Sequence, residues 1–292
     1  MSATLAYEPQ GDSSPLTVAV TSGKGGVGKS QLVASLAVIL SQDGHRPLVV
    51  DADIGCGDLD ILFDVRPQVD LRSVLSGAVP PEEAVTRANL GDAEIGFIPA
   101  PAANRDGSEL TRGEQMGVLQ AVDQVGWRYR SVLVDTGAGV SRNPMFFAAA
   151  ADRVLVVTTP EPTSMQDAYA AIKVLHQAHG VGRFELVVNQ ARNLRDGKGV
   201  YARLASVVDR FLPVELGLIG VLPKDERVER AVMSRQPAAY AYPVSPYAHA
   251  VRGIARRLMT DGQDRPGGQL RWFTTRPVGD AVDGQEPTGE QR

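Results

Sequence analysis

The residues best equipped for chemistry lie near the amino end, in the run Gly23-Lys24-Gly25-Gly26-Val27-Gly28-Lys29-Ser30. The run matches G-x-x-x-x-G-K-[ST], with an apolar stretch before it and a helical-period stretch after it, the context in which such a loop cradles phosphate. Glycines let the main chain turn tightly and aim its N–H groups at phosphate oxygens. The helix that follows adds the positive end of its dipole. Lys29 is placed to neutralise the β- and γ-phosphates, and Ser30 to put its hydroxyl on Mg2+. A glycine-rich turn that binds nothing has no structural reason to be followed by a lysine and a hydroxyl.

Carboxylates supply the other half of the chemistry. Asp51-Ala52-Asp53 closes the next strand-like run, at the edge where ligands sit in open α/β sheets. A carboxylate there can orient a magnesium-bound water or an attacking water. The stretch 131–139 is an apolar strand that ends in Asp135 and continues through Gly137 and Gly139. Asp135 is suited to hold Mg2+ through a water, and the glycines free the loop to rearrange around a γ-phosphate. Two further positions, Asn189 and the loop Pro223-Lys224-Asp225, end later strand-like runs. A loop asparagine can equally satisfy local main chain.

These groups need a frame to hold them together. Nearly continuous Val/Ile/Leu runs cover 16–21, 47–51, 94–99, 131–135, 153–158, 184–189 and 216–222. Strands buried on both faces read this way, as in a parallel sheet. Helical periodicity covers 29–42, 111–125, 143–151, 164–178, 199–211, 226–234 and 246–259, with Ser164 as the expected cap of its helix. The alternation predicts a doubly wound α/β fold: a mostly parallel, seven- to eight-stranded sheet with helices on both faces. A flexible leader is expected over 1–15, one domain over 16–260, and a mostly disordered tail over 261–292, where Gly and Pro accumulate.

Composition narrows the function classes. The 292 residues are 43% hydrophobic and 22% charged, with a net charge of −4, so no overall basic surplus advertises nucleic-acid binding. The single cysteine, Cys56, excludes an intrachain disulfide framework and a cysteine-rich zinc site, and is read as packing. The longest apolar stretch, 33–40, is too short to cross a bilayer, and no signal peptide is visible. A cytoplasmic location is expected.

The second lysine of the loop, Lys24, is not needed by a simple phosphate cradle. K-G-G-V-G-K-S resembles the deviant Walker A motif of the MinD/ParA family of P-loop ATPases. That resemblance implies ATP and Mg2+ as ligands, with residues 23–30 and Gln31 contacting nucleotide and Lys24 crossing to the ATP of a second copy. The stretch 51–60 is similar to the family's D-x-D-x-G-x-x-N-x-D. By it, Asp53 positions the nucleophilic water beside Lys24 and Lys29, and Asp51 supports Ser30 and the metal from behind. Asp58 departs from the pattern, standing where asparagine is usual. Asp135 looks like the family's Walker B aspartate, while Asn189, Pro223 and Asp225 resemble its adenine-contacting positions.

Further segments narrow the resemblance to the FlhG (FleN) branch, which regulates flagellar number and placement. They are the stretch 135–141, the run Val157-Thr158-Thr159-Pro160-Glu161-Pro162-Thr163-Ser164 with 167–173 after it, 186–189, and 208–212. This resemblance implies a slowly hydrolysing switch that forms a homodimer with ATP. It also implies reversible binding to the inner-membrane surface and a partner such as an FlhF-type GTPase or a flagellar transcription regulator. The leader shows no D-Q-A-x-x-L-type motif of the sort that stimulates such a GTPase. The candidate membrane contact at 269–276, with Leu270, Trp272 and Phe273, is short and ends at Pro277. A division-site ATPase, a partitioning ATPase and a non-hydrolysing scaffold or anti-activator are the alternatives.

Overall fold

The computed structural model describes residues 14–54, 57–100 and 109–260. The leader up to residue 13, Cys56, and the tail with its candidate membrane segment lie outside the described residues. Among the described residues no helix is long and apolar enough to cross a membrane.

The strands are β1 (Leu16–Ser22), β2 (Pro47–Ala52), β3 (Thr86–Leu90), β4 (Ala93–Ile98), β5 (Ser131–Ala138), β6 (Arg153–Thr158), β7 (Arg183–Ala191) and β8 (Glu215–Pro223). They form one eight-stranded sheet in the order β3-β4-β2-β5-β1-β6-β7-β8. Every pairing is parallel except β3 with β4. The main helices are α1 (Lys29–Gln42), α4 (Arg112–Gly126), α5 (Arg142–Ala150), α6 (Pro162–His179), α7 (Leu194–Phe211), α8 (Glu226–Met233) and α10 (Pro246–Thr260). Between them lie short α2 (Leu59–Leu62), α3 (Leu71–Leu75) and α9 (Ala238–Ala241) and a 3-10 turn, Pro81–Ala84.

Apolar side chains divide between the two faces of the sheet. On β1, Val18 and Val20 point into a layer shared with Leu32 and Leu36 of α1 and Val251 and Leu258 of α10. Ala19 points the other way, into a layer with Val122 of α4, Phe146 of α5, Ala168 of α6 and Val200 of α7. The two-residue period of a strand makes that division. The doubly wound, mostly parallel sheet expected from the sequence is the fold observed.

The differences from the expected elements have local causes. β3 is an antiparallel edge strand whose residues alternate buried and exposed, Arg87 and Asn89 facing water. It lacks the continuous apolar run that marks the inner strands. α7 starts five residues early because the Asn193 side chain caps it, accepting from the Asp196 N–H at 2.9 Å. Gly197 and Gly199 in its first turns hide that start, since glycine is a poor helix former. α6 begins at Pro162 with Glu161 as its N-cap residue. Ser164 is therefore inside the first turn and does not cap it; its Oγ accepts from the Thr159 N–H at 3.0 Å instead.

One largely buried ion pair ties the carboxyl-terminal helix to the sheet. Arg153, at the start of β6, donates through Nε to Glu185 Oε2 of β7 at 2.8 Å and through Nη2 to Glu185 Oε1. Its Nη1 donates to the carbonyls of Arg257 and Leu258 in the last turn of α10, where helix carbonyls lack partners of their own. Removing one member of a buried pair strands the other charge, so Arg153→Met should lower the unfolding free energy by about 3 kcal/mol. Adding Glu185→Leu should recover most of that loss. Urea titrations of the two variants check this, and a single variant as stable as wild type would show that the pair does not hold α10 to the sheet.

Candidate functional site

The phosphate loop is wound by three close approaches. At Gly23 an added Cβ would lie 2.0 Å from the Asp167 carbonyl oxygen, so only glycine fits beneath α6. Gly28, the residue before α1, holds φ +94, and an added Cβ would lie 2.4 Å from Asn189 Nδ2. Ser22 Oγ donates to the Lys24 carbonyl at 2.7 Å and fixes the start of the turn. Val27, Lys29 and Gln31 are buried; Gly25 and Gly26 lie open to solvent.

Two distant segments hold this loop in place. Asn189, at the end of β7, donates from Nδ2 to the Val27 carbonyl at 2.7 Å, and its Oδ1 accepts from the Gln190 N–H at 2.8 Å. A carboxamide has a second N–H and further acceptor capacity, so these bonds do not exhaust it. Gln31 donates to the Gln236 carbonyl and accepts from the Ala238 N–H, both at 3.0 Å. Its side chain thus fastens α1 to the segment before α9, a role the sequence did not signal across 205 residues.

The sheet register brings the carboxylates together. Asp51 on β2 is directly paired with Asp135 on β5, and β5 is in turn the neighbour of β1, from which the loop springs. Both carboxylates are buried. Burial, with the charge of Asp135 next, holds the Asp51 carboxyl well above its usual range. Burial pushes Asp135 up to about 7, while a hydrogen bond from Ser30 and the charge of Lys29 pull the other way. Asp135 Oδ1 has no hydrogen-bond partner. An unpartnered buried carboxylate oxygen beside the Ser30 hydroxyl fits a hydrated divalent cation. Among the described residues no group of three or more acidic, His or Cys side chains is arranged to hold a metal unaided.

Asp53 lies just beyond β2, its N–H donating to Asp51 Oδ1 at 3.0 Å. Burial raises its carboxyl, with Lys29 opposing. It sits against the last residues of β5: a Cβ on Gly137 would lie 2.8 Å from Asp53 Oδ1. Lys24 stands apart from these groups. Its Nζ contacts Glu161 Oε2 at 2.5 Å and Thr163 Oγ1 at 3.3 Å, both at the start of α6. No sequence signal marked Glu161 as the partner, because 137 residues separate the two.

Pro223, Lys224 and Asp225 form the far end. The Lys224 N–H donates to the Ala191 carbonyl at 2.9 Å, joining this loop to the end of β7 two residues past Asn189. Asp225 caps α8, accepting from the Arg227 N–H at 3.0 Å. An open pocket of about 370 Å3 lies along Pro223, Asp225, Arg230 and Pro246.

Comparison with known proteins gives concordant matches. A family model described as ParA, NUBPL iron-transfer P-loop NTPase, matches residues 15–259. The antiactivator FleN of Pseudomonas aeruginosa is 34% identical over 262 residues, which are 89% of this chain and 92% of FleN. The flagellum site-determining protein YlxH of Helicobacter pylori is 30% identical over 251 residues, 83% of this chain and 81% of that protein. Among solved structures, the MinC:MinD cell division protein complex of Aquifex aeolicus superposes with a TM-score of 0.69 at 25% identity, covering 84% of this chain and 96% of that one.

The left-handed Gly28 and its contact with Asn189 make one position decisive. Gly28→Ala should cost about 1–2 kcal/mol from main-chain strain alone and should also weaken nucleotide binding by displacing Asn189. Thermal unfolding and calorimetric titration read the two effects; a variant equal to wild type in both would show that the loop tolerates a side chain there.

Proposed function

Because this chain belongs to the MinD/ParA family of P-loop NTPases, we propose that it is an ATP-binding, slowly hydrolysing switch that dimerises with ATP and regulates flagellar number, placement or gene expression. The observation that carries the ATP reading is the meeting of Lys29 and Ser30 with a buried Asp135 whose Oδ1 is unpartnered. The flagellar reading is supported by the similarity to FleN and YlxH.

In this reading, the main-chain N–H groups of residues 23–31 receive the phosphates. The first N–H groups of a helix lack partners within it, so Gln31 takes part through its main chain while its side chain stays on Gln236 and Ala238. Lys29 neutralises the β- and γ-phosphates. Ser30 and, through water, Asp135 would hold magnesium, with Asp51 supporting them; bound magnesium supplies charge neutralisation at the transferring phosphate. Asp53 orients the attacking water, whose oxygen bonds to the γ-phosphorus as the bond to the ADP oxygen breaks. Asn189, Pro223 and Asp225 line the base end, where Asn189 offers its second N–H.

Lys24 serves the dimer. In the single chain it rests on Glu161, an exposed contact of the kind worth at most about 1 kcal/mol, so it is free to leave for the phosphates of a second copy. A partner such as an FlhF-type GTPase or a flagellar transcription regulator would read the nucleotide state, and the inner-membrane surface would receive the dimer.

Calorimetry with ATP and magnesium tests the reading; the absence of heat would end it. Lys29→Ala should weaken ATP at least about tenfold, as expected for loss of a charged hydrogen bond. Asp53→Ala should bind ATP and accumulate as a dimer, with phosphate release reduced about a hundredfold or more. If wild type turns over no faster than Asp53→Ala, the protein is a non-hydrolysing scaffold instead. Lys24→Ala should bind nucleotide but stay monomeric in ATP by light scattering; unchanged dimerisation would remove the cross-subunit role.

A further inference from the structure

We propose that Gln115, on α4, is a positioning residue for the hydrolytic step: through Asn143 it holds the first turn of α5 against Gly137 and so sets where the Asp53 carboxylate stands. The inference rests on the ATP reading above and names a residue outside the phosphate loop on which that chemistry depends.

A short chain of contacts joins the two residues. Gln115 Nε2 donates to Asn143 Oδ1 at 2.9 Å, and both side chains are buried. Pro144 follows Asn143 in the first turn of α5. A Cβ built on Gly137 would lie 3.2 Å from Pro144 Cγ and 2.8 Å from Asp53 Oδ1. The proline ring and the Asp53 carboxylate thus crowd the same side of Gly137, and a shift of the ring changes the room left to the carboxylate. α5 makes no capping bond with its own N-cap residue, Ser141. Its first turn is held instead from the α4 side, by the buried amide pair and by Glu109, whose Oε1 accepts from the Arg142 N–H at 3.3 Å. The Glu109 contact is exposed; the Gln115 contact is buried. Ahead of α5, the Gly139 N–H donates to the Ser22 carbonyl at 2.9 Å and fixes the segment to the start of the phosphate loop.

Stability alone does not account for a glutamine here. Gln115 heads the buried face of α4 that continues through Val118, Leu119 and Val122, and its Oε1 is buried without a hydrogen-bond partner. An unsatisfied buried acceptor is less favourable than an apolar group of the same shape. What the amide adds is direction: a hydrogen bond fixes both distance and angle, whereas apolar contact lets one helix slide on another. An attacking water has to be held in line with the bond that breaks, and a displacement of about 1 Å in its support can lower the rate on the order of a hundredfold.

The test is Gln115→Met in the full chain, alone and combined with Asn143→Leu. Gln115→Met should lower kcat for phosphate release about tenfold while calorimetric ATP–magnesium affinity and ATP-dependent dimerisation stay within about twofold. Its thermal midpoint should fall by about 2–4 °C, because Asn143 loses its buried partner. The double variant replaces both amides by apolar groups, which removes the unpartnered atoms; it should recover the midpoint and not kcat. A kcat unchanged in Gln115→Met, or one that returns together with the midpoint in the double variant, overturns the proposal. A loss of ATP affinity as large as the loss of kcat overturns it too. Should Gln115→Met fail to fold, the double variant decides alone, and wild-type turnover there is the contrary result. If wild type binds no ATP, or releases phosphate no faster than Asp53→Ala, the reading above falls first and this inference with it.

Discussion

Two acidic side chains buried side by side are the constraint around which the molecule is organised. The parallel pairing of β2 with β5 sets Asp51 opposite Asp135 in register, and neither can turn to solvent. Burying like charges together is tolerated only if they are neutralised or matched by positive charge. Lys29, Ser30 and the main-chain N–H groups at the start of α1 are therefore demanded by the sheet as much as by any ligand. β1 lies next to β5 and brings that loop to the same edge. The order of the strands is thus the order of the chemistry.

The loop is held from both of its flanks rather than by its own turns. Asn189 grips Val27 from the end of β7, and Asp167 on α6 leaves no room for a side chain at Gly23. Gln31 reaches behind the helix to residues 236–238. A phosphate cradle must present its N–H groups before the ligand arrives, because main chain ordered in advance costs nothing at binding. These clamps come from elements far apart in the chain, so the shape of the site reports on the packing of the whole sheet.

Much of this was legible in the residues. The inner strands are apolar on both faces, and such runs announce themselves; β1 is buried from end to end. The loop from Gly23 to Ser30 carries its own context. What stayed hidden was set by partners distant in sequence. β3 is an edge strand with an alternating pattern too short to separate from a loop. The early start of α7 was masked by Gly197, which is glycine because a Cβ there would lie 2.3 Å from Val221 Cγ1. The contact of Lys24 with Glu161, and the reach of Gln31, belong to tertiary structure alone; the proline-flanked Glu161 reads locally as nothing more than a break after β6.

The anchoring of the last helix has a geometric consequence. Arg153 and Glu185 lie at the beginnings of their strands, and Arg153 holds the final turn of α10 there. The nucleotide edge is at the other ends of the same strands, roughly 20 Å away for a six-residue strand. Thr260, the last residue of α10, therefore stands at the pole of the described body opposite the phosphate loop.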